Sequence, residues 1–256
     1  MDQNESIASQ NTPASEPGTT LPVAIVIAGV LIAGSILYTN RDAPTSVAAV
    51  KQAQENPTYG TEKIITSSVA PITSADHIRG NASAPVKIIE FSDLECPFCQ
   101  QFHVTMNQVM DIYGKTGQVA WIYRSFPLDI HPKGTLEAHA AECAAEIGGN
   151  DIFWKFIDKI FAVTPANNGL DLSILPTIAK NLGLDVTKWQ ECQTSNRYGV
   201  RIQANISDGL SAGVQGTPYS IVVAPNGTTY PINGARNLTY VQSIINTALK
   251  QTAPNK

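Results

Sequence analysis

The tetrapeptide CPFC at residues 96–99 constrains the fold of this chain most, because it joins a strand pattern to a helix pattern. Residues 86–91 (VKIIEF) form a short, almost continuous apolar run, and apolar residues at helical spacing begin at Phe98. Pro97 suits the first turn of a helix, where its missing N–H group is not needed. The sequence therefore predicts a strand at 86–91 and a helix at 96–113 with both thiols at its start.

The two thiols, Cys96 and Cys99, are typical of a redox-active pair. Unpaired backbone N–H groups and the helix dipole favour a thiolate at the start of a helix. A thiolate is the species that attacks and leaves in thiol–disulfide exchange. Zinc sites use the same spacing but need a second ligand pair, and the other cysteines, Cys143 and Cys192, are isolated. We favour redox chemistry and expect no metal ion and no other cofactor.

Size and charge limit the function classes further. The chain has 256 residues, of which 43% are hydrophobic, and this is enough for one core of ordinary size. Its net charge of -4 offers no basic surface for nucleic acid. We therefore expect no nucleic-acid partner.

The composition of the first 75 residues predicts a polar tail, a membrane anchor and a linker. Residues 1–20 are polar and lack aromatic side chains, which is typical of a disordered tail, and residues 39–75 indicate a polar linker. Residues 21–38 contain no charged side chain, and as a helix they would span roughly 27 Å, about the thickness of a bilayer core. A cleaved signal peptide and a buried helix are the alternatives. We favour a transmembrane helix because the tail lacks the basic residues of a signal peptide.

The predicted orientation places the folded part outside the cytoplasm. Arg41, the nearest basic residue, follows the apolar segment and by itself would keep that side inside. One arginine is a weak signal, since long domains cross membranes largely regardless of charge. Four cysteines, an even number, suit an oxidising compartment. We therefore predict a single-pass cell-membrane protein with an extracytoplasmic domain.

The folded domain is predicted at residues 76–251. A second strand at 119–126 follows the redox helix, and a long helical stretch, divided by glycine and proline, covers about 131–213. The Asn-Gly pair at 226–227 is a strong hairpin signal, and a last helix occupies 238–249. The predicted hairpin strands are residues 221–223 and 228–232. This order of elements indicates an α/β fold.

These motifs resemble those of the DsbA-like branch of the thioredoxin superfamily. The specific part is residues 76–103 (DHIRGNASAPVKIIEFSDLECPFCQQFH), together with GVQGTP at 213–218. Shorter matches are FPL at 126–128, HP at 131–132 and AECA at 141–144. The resemblance implies a thioredoxin fold with a helical insertion between the second strand and the cis-proline strand. It also implies a protein thiol–disulfide oxidoreductase.

The resemblance assigns roles to the residues of the site. It implies that Cys96 is the exposed, substrate-reactive sulfur and that Cys99 is the more buried, resolving one. It also places a cis proline at Thr217-Pro218, facing the thiols, where the chain alone would suggest an ordinary trans proline. The backbone of Thr217 would then pair with an extended substrate. The residues expected to contact substrate are Pro97, Phe98, Thr217 and Pro218.

The acidic residues near the thiols affect the expected redox properties. The family places a buried acid at Glu90, where a raised pKa would let the carboxyl exchange protons with Cys99. Alternatively, Glu90 is an ordinary solvated residue at the end of the strand. The best-known oxidants have a histidine in place of Phe98, and Glu95 should raise the pKa of Cys96. We therefore predict a weaker oxidant than the strongest relatives.

Cys143 and Cys192 lie on separate predicted helices of the insertion. The resemblance implies a structural disulfide between them, and two buried free thiols are the alternative.

The function predicted for the chain is thiol–disulfide exchange on exported proteins that carry cysteine thiols, in the direction that introduces disulfides. The resemblance implies a quinone-linked membrane partner as reoxidant. A reductase or isomerase supplied by a membrane reductant would use the same residues in reverse. A surface-tethered binding module without enzymatic activity and a metal chaperone are further alternatives.

Overall fold

The computed structural model describes residues 69–252, which contain one mixed five-stranded sheet. The strands are β1 (His77–Gly80), β2 (Val86–Ser92), β3 (Val119–Ser125), β4 (Tyr219–Val223) and β5 (Thr229–Asn233). Their order is β1-β3-β2-β4-β5, with β2 and β3 parallel and the other neighbours antiparallel. The parallel pair lies at the centre of the sheet, where both faces of a strand are buried, and this explains why the two strands are apolar along almost their whole length.

The helices fall into three groups along the described chain. The redox helix α1 (Pro97–Val109) connects β2 to β3, and α7 (Leu238–Leu249) follows β5. The insertion between β3 and β4 consists of α2 (Gly134–Gly148), α3 (Asn150–Val163), a 3-10 turn (Leu172–Ile174), α4 (Leu175–Asn181), α5 (Val186–Ser195) and α6 (Gly199–Ser211). The insertion therefore lies where the sequence predicted it.

The two faces of the sheet bury different clusters, as the alternation of side chains along a strand requires. Trp121 and Tyr123 of β3 join the larger core, which includes apolar residues of α1, α3 and α7. Ala120 and Ile122 face the smaller core, to which Val214 also belongs. The redox helix thus packs on the face of the sheet that carries the larger core.

The α/β fold with a helical insertion is confirmed, but some element boundaries differ from the prediction. The helix predicted at 96–113 ends at Val109 and continues as a π turn, Met110–Gly114, in which the N–H of Lys115 reaches the Met110 carbonyl at 3.1 Å. Strand β1 was not predicted. It is a four-residue edge strand without clear alternation, and its pairing with β3 defines it.

The predicted linker also ends earlier than expected, because residues 69–75 belong to the packed domain. Val69 and Ile72 contact the smaller core, and the guanidinium of Arg124 donates to the carbonyl of Ala70 at 3.1 Å. The predicted tail and transmembrane segment, residues 1–38, lie outside the described residues and remain predictions. Within 69–252, no helix is long and apolar enough to cross a membrane.

Candidate active site

The turn between β2 and α1 places both thiols at the helix start. Cys96 caps α1 with extended backbone angles (φ −81°, ψ 121°), and its carbonyl accepts from the N–H of Gln100 at 3.1 Å. Cys96 and Cys99 are both free thiols. The expectation of an exposed Cys96 is wrong, because only 4% of the residue is accessible. Phe98 is the exposed residue of this turn, at 61%, and Pro97 is half-buried.

A loop before β4 covers the nucleophile. The Thr217-Pro218 peptide bond is cis, and the sulfur of Cys96 lies 3.4 Å from the carbonyl oxygen of Thr217. Pro218 is buried, whereas Thr217 is half-buried. The carbonyl of Pro218 accepts from the N–H of Gly234, which ties the loop to the residue after β5. The structure thus brings the predicted Thr217-Pro218 segment against Cys96.

The two thiols have opposite acidities. The pKa of Cys96 is lowered to about 6, chiefly because the thiol of Cys99 donates to it, with further help from the Cys99 and Phe98 backbone and from Thr217, against the effect of burial. The pKa of Cys99 is raised well above its ordinary value, first by burial and then by Cys96. At neutral pH the pair therefore holds a thiolate at Cys96 and a thiol at Cys99.

Glu90 is a buried acid in β2. No part of it is accessible, and one carboxyl oxygen accepts from the indole N–H of Trp121 at 2.8 Å. Burial raises the pKa of Glu90 to about 7, although the Trp121 bond opposes the rise. The charge of Glu90 in turn raises the pKa of Cys99. The carboxyl therefore changes protonation near neutral pH, close to the thiol that must gain or lose a proton.

Glu95 does not have the effect predicted for it. The residue is fully buried, and its carboxyl group faces that of Glu137 on α2. Burial, followed by Glu95 and Asp93, raises the pKa of Glu137 to about 10, so Glu137 is neutral at pH 7. The expected rise in the pKa of Cys96 is wrong, because the hydrogen bond from Cys99 and those from Phe98 and Thr217 lower this pKa and outweigh the effect of burial.

The value of about 6 is still well above the ~3.5 typical of the strongest oxidant. A weaker oxidant than that relative therefore remains a prediction.

The other two cysteines form a disulfide. The sulfurs of Cys143 on α2 and Cys192 on α5 are bonded at 2.01 Å, and both residues are buried. The bond joins two helices of the insertion. Among residues 69–252, no group of three or more His, Cys, Asp or Glu side chains has an arrangement that could hold a metal ion.

Three polar residues of the site were missed at the sequence level. The backbone N–H of Asp93 donates to the sulfur of Cys99 at 3.4 Å, and the Asp93 carboxylate lies 2.7 Å from Nδ1 of His131. His131 was noted only as part of the HP match at 131–132, and Glu137 drew no prediction. An aspartate placed directly after a buried strand and before the thiols was the available signal for Asp93.

Comparison with known proteins places the chain in a family. A sequence model described as thioredoxin matches residues 73–246. Among curated proteins, the Na(+)/H(+) antiporter NhaA 3 of Salinispora tropica is 32% identical over 177 residues, which are 69% of this chain and 24% of that protein. NhaA of Herminiimonas arsenicoxydans is 28% identical over 57% of this chain and 22% of its own length. The chain spans about a quarter of the length of these relatives.

Solved structures match nearly over their whole length. DsbA2 of Pseudomonas aeruginosa is 28% identical, with a TM-score of 0.60, covering 71% of this chain and 98% of that one. Oxidised BdbD of Bacillus subtilis is 21% identical, with a TM-score of 0.63 over 72% and 98%. Fold and site together define the class of thiol–disulfide oxidoreductases. The chain belongs to the thioredoxin family and has the DsbA-like form of its fold.

Proposed function

We propose that this protein introduces disulfide bonds into exported proteins through the Cys96–Cys99 pair. The observation that carries the proposal is the opposite acidity of the two thiols, with the pKa of Cys96 lowered to about 6 and that of Cys99 raised. A stabilised Cys96 thiolate stabilises the reduced protein relative to the disulfide form. This makes the disulfide a better oxidant, which favours the oxidising direction.

The exchange proceeds in two steps that conserve atoms and electrons. A substrate thiolate attacks the sulfur of Cys96, the Cys96–Cys99 bond breaks, and Cys99 leaves as a thiolate that takes up a proton. Glu90, with a pKa of about 7, is the proton donor for Cys99 in this step. A second substrate thiolate then attacks the substrate sulfur of the mixed disulfide, and Cys96 leaves as a thiolate. The substrate is oxidised by two electrons and the protein is reduced.

The substrate segment would bind beside the thiols. Phe98 offers an exposed aromatic face next to Cys96, and Pro97 and the Thr217-Pro218 loop border the same position. An extended chain would pair with the backbone of Thr217, whose carbonyl oxygen lies 3.4 Å from the sulfur of Cys96. Reoxidation of the dithiol would require a quinone-linked partner in the membrane.

We infer an extracytoplasmic location with a single membrane anchor at residues 21–38. The uncharged segment supports the anchor, and the Cys143–Cys192 disulfide is of the kind that persists in oxidising compartments. Adding a protease to intact cells that express the full chain tests the topology. Digestion of the domain supports the inference, and protection of the domain until the cells are lysed contradicts it.

The reduction potential of the Cys96–Cys99 pair, measured against glutathione, tests the direction of exchange. A value more positive than about −200 mV is expected for an oxidant of exported proteins, and a value near −270 mV would favour the reductase alternative. The full chain with Cys99→Ala should also accumulate mixed disulfides with exported proteins. A variant that adds Cys96→Ala is the matched control and should trap none.

A further inference from the structure

Asp93 holds the turn that precedes the redox helix. One carboxylate oxygen accepts from the backbone N–H of Glu95 at 3.0 Å, and the other accepts from the N–H of Leu128, also at 3.0 Å. The second oxygen also lies 2.7 Å from Nδ1 of His131. The Asp93 side chain is fully buried, and that of His131 is 4% accessible. These bonds fix the peptide whose own N–H faces Cys99 at 3.4 Å.

The groups that hold Asp93 come from the segment that leads into the insertion. Leu128 and His131 lie between β3 and α2, and α2 begins at Gly134. A methyl group added at Gly134 would lie 2.7 Å from the Asp93 carboxylate and 3.2 Å from Pro127, so the helix backbone can approach only because this residue is glycine. The start of the insertion is therefore fitted around the Asp93 carboxylate.

We propose that His131 is a positioning residue for thiol–disulfide exchange, because it holds Asp93 so that the Asp93 N–H stabilises the departing Cys99 thiolate. The inference rests on the proposed function and assigns a role in catalysis to the helical insertion. Cys99 leaves in a fully buried position, where a negative sulfur has few groups to solvate it. A backbone N–H that is already aimed at the sulfur needs no rearrangement during the step.

The test compares two replacements of His131 that keep the site filled. Leucine has a similar volume to histidine but no hydrogen-bond donor. The amide of asparagine, by contrast, can place a donor near the position of Nδ1. The control is His77→Ala, which removes another buried histidine–carboxylate contact, that between His77 on β1 and Glu142 on α2 at 3.0 Å. Circular dichroism selects the variants that fold.

The measurement is the initial rate at which reduced glutathione opens the Cys96–Cys99 disulfide of the full chain at pH 7, followed by acid quenching and mass spectrometry. We expect His131→Leu to be about five- to tenfold slower than the unmodified protein, as for the loss of one typical hydrogen bond. His131→Asn should stay within about threefold of the unmodified protein, and His77→Ala should match it. If His131→Leu does not fold, Asp93→Asn replaces it and should be slowed to a similar extent.

The possible results separate this inference from the proposed function. An unmodified protein that does not react with glutathione contradicts the proposed function itself. A reactive protein whose rate is unchanged by His131→Leu overturns the positioning role. Equal slowing in His131→Leu and His131→Asn also overturns it, because packing alone would then explain the loss. Slowing in the His77→Ala control would also overturn the positioning role, because the effect would then not be specific to His131.

Discussion

The indole N–H of Trp121 donates to a carboxyl oxygen of Glu90 across the two central strands, at 2.8 Å. The other oxygen of Glu90 is buried without a hydrogen-bond partner among the described residues. Burial in an apolar core disfavours the charged carboxylate, which is why the pKa of Glu90 rises to about 7 although the Ser92 and Trp121 side chains oppose the rise. The indole N–H of Trp121 therefore makes it easier for Glu90 to release its proton, against the larger effect of burial.

Replacing Glu90 by glutamine should slow exchange in a pH-dependent way. Below pH 7 Glu90 is protonated and can supply the proton that Cys99 takes up, whereas above pH 7 it is ionised. We expect Glu90→Gln to open its Cys96–Cys99 disulfide at least about tenfold more slowly than the unmodified protein at pH 6. The difference should become smaller at pH 8. Initial rates with reduced glutathione across this range measure the effect.

Trp121→Phe is the companion variant, because it keeps an aromatic ring but removes the indole N–H that donates to the Glu90 carboxyl. Since that N–H favours the ionised form, its loss should raise the pKa of Glu90 further. The pH at which the rate of disulfide opening by glutathione falls should then be higher in Trp121→Phe than in the unmodified protein. A pH profile that is identical in the unmodified protein and Glu90→Gln would show that Glu90 takes no part in the step.

The acidity of Cys96 should depend on the thiol of Cys99, which is the largest cause of the lowered pKa. Alkylation of the reduced protein by iodoacetamide should reach half its maximal rate near pH 6. In Cys99→Ala the midpoint should rise toward the ordinary value of about 8.5, whereas Cys99→Ser keeps a donor and should change it by less. Equal midpoints in the alanine and serine variants would exclude this hydrogen bond as the cause.

Much of the fold follows from the sequence, because long apolar patterns and turn signals specify it. The last helix was predicted with the bounds that α7 has, and the Asn-Gly signal marks the turn between β4 and β5. The short strand β1 could not be predicted, since its four residues carry no periodic pattern and only pairing with β3 defines it. The π turn that ends the redox helix likewise depends on its packing.

The site was less predictable, because the direction of a side chain is set by tertiary contacts. The sequence places Glu95 beside Cys96, but the structure turns its carboxyl group toward Glu137, which is distant in the chain. His131 contacts Asp93 for the same reason, since the start of the insertion folds back onto the turn. The motif identifies the reacting sulfurs, whereas the groups that tune them come from other elements.

The Cys143–Cys192 disulfide should contribute stability without affecting exchange. It closes a loop with a sequence separation of 49 residues, and removing such a bond typically costs about 2–5 kcal/mol. We expect the double variant Cys143→Ala, Cys192→Ala to lose stability in this range in urea unfolding.

The comparison is made in a background with Cys96→Ser and Cys99→Ser, so that only one disulfide can differ. In the chain with Cys96 and Cys99 intact, the alkylation rate of Cys96 should be unchanged by the loss of the Cys143–Cys192 bond. A large change in that rate would mean that the two pairs are coupled.

Glu137 should make the protein less stable as the pH rises. Its pKa is raised from 4.5 to about 10 in the folded protein, so between these values the folded state holds a proton that the unfolded state has released. The folded state therefore loses stability with increasing pH, at up to ~1.4 kcal/mol per pH unit. Glu137→Gln remains neutral at every pH and removes this dependence. Urea unfolding at pH 5.5 and pH 8.5 should show a stability gain for Glu137→Gln that is larger at pH 8.5.

Glu142→Gln is the matched control, since Glu142 is also a buried acid of α2 but forms an ion pair with Arg201 and a hydrogen bond with His77. Its carboxylate lies 3.0 Å from His77 and 3.1 Å from Arg201, so its replacement removes attractive contacts. Loss of one member of a buried ion pair destabilises a protein, and we expect this variant to be less stable at both pH values. If Glu137→Gln were also destabilised at pH 8.5, the Glu137 carboxyl would have to be ionised and paired there, contrary to its raised pKa.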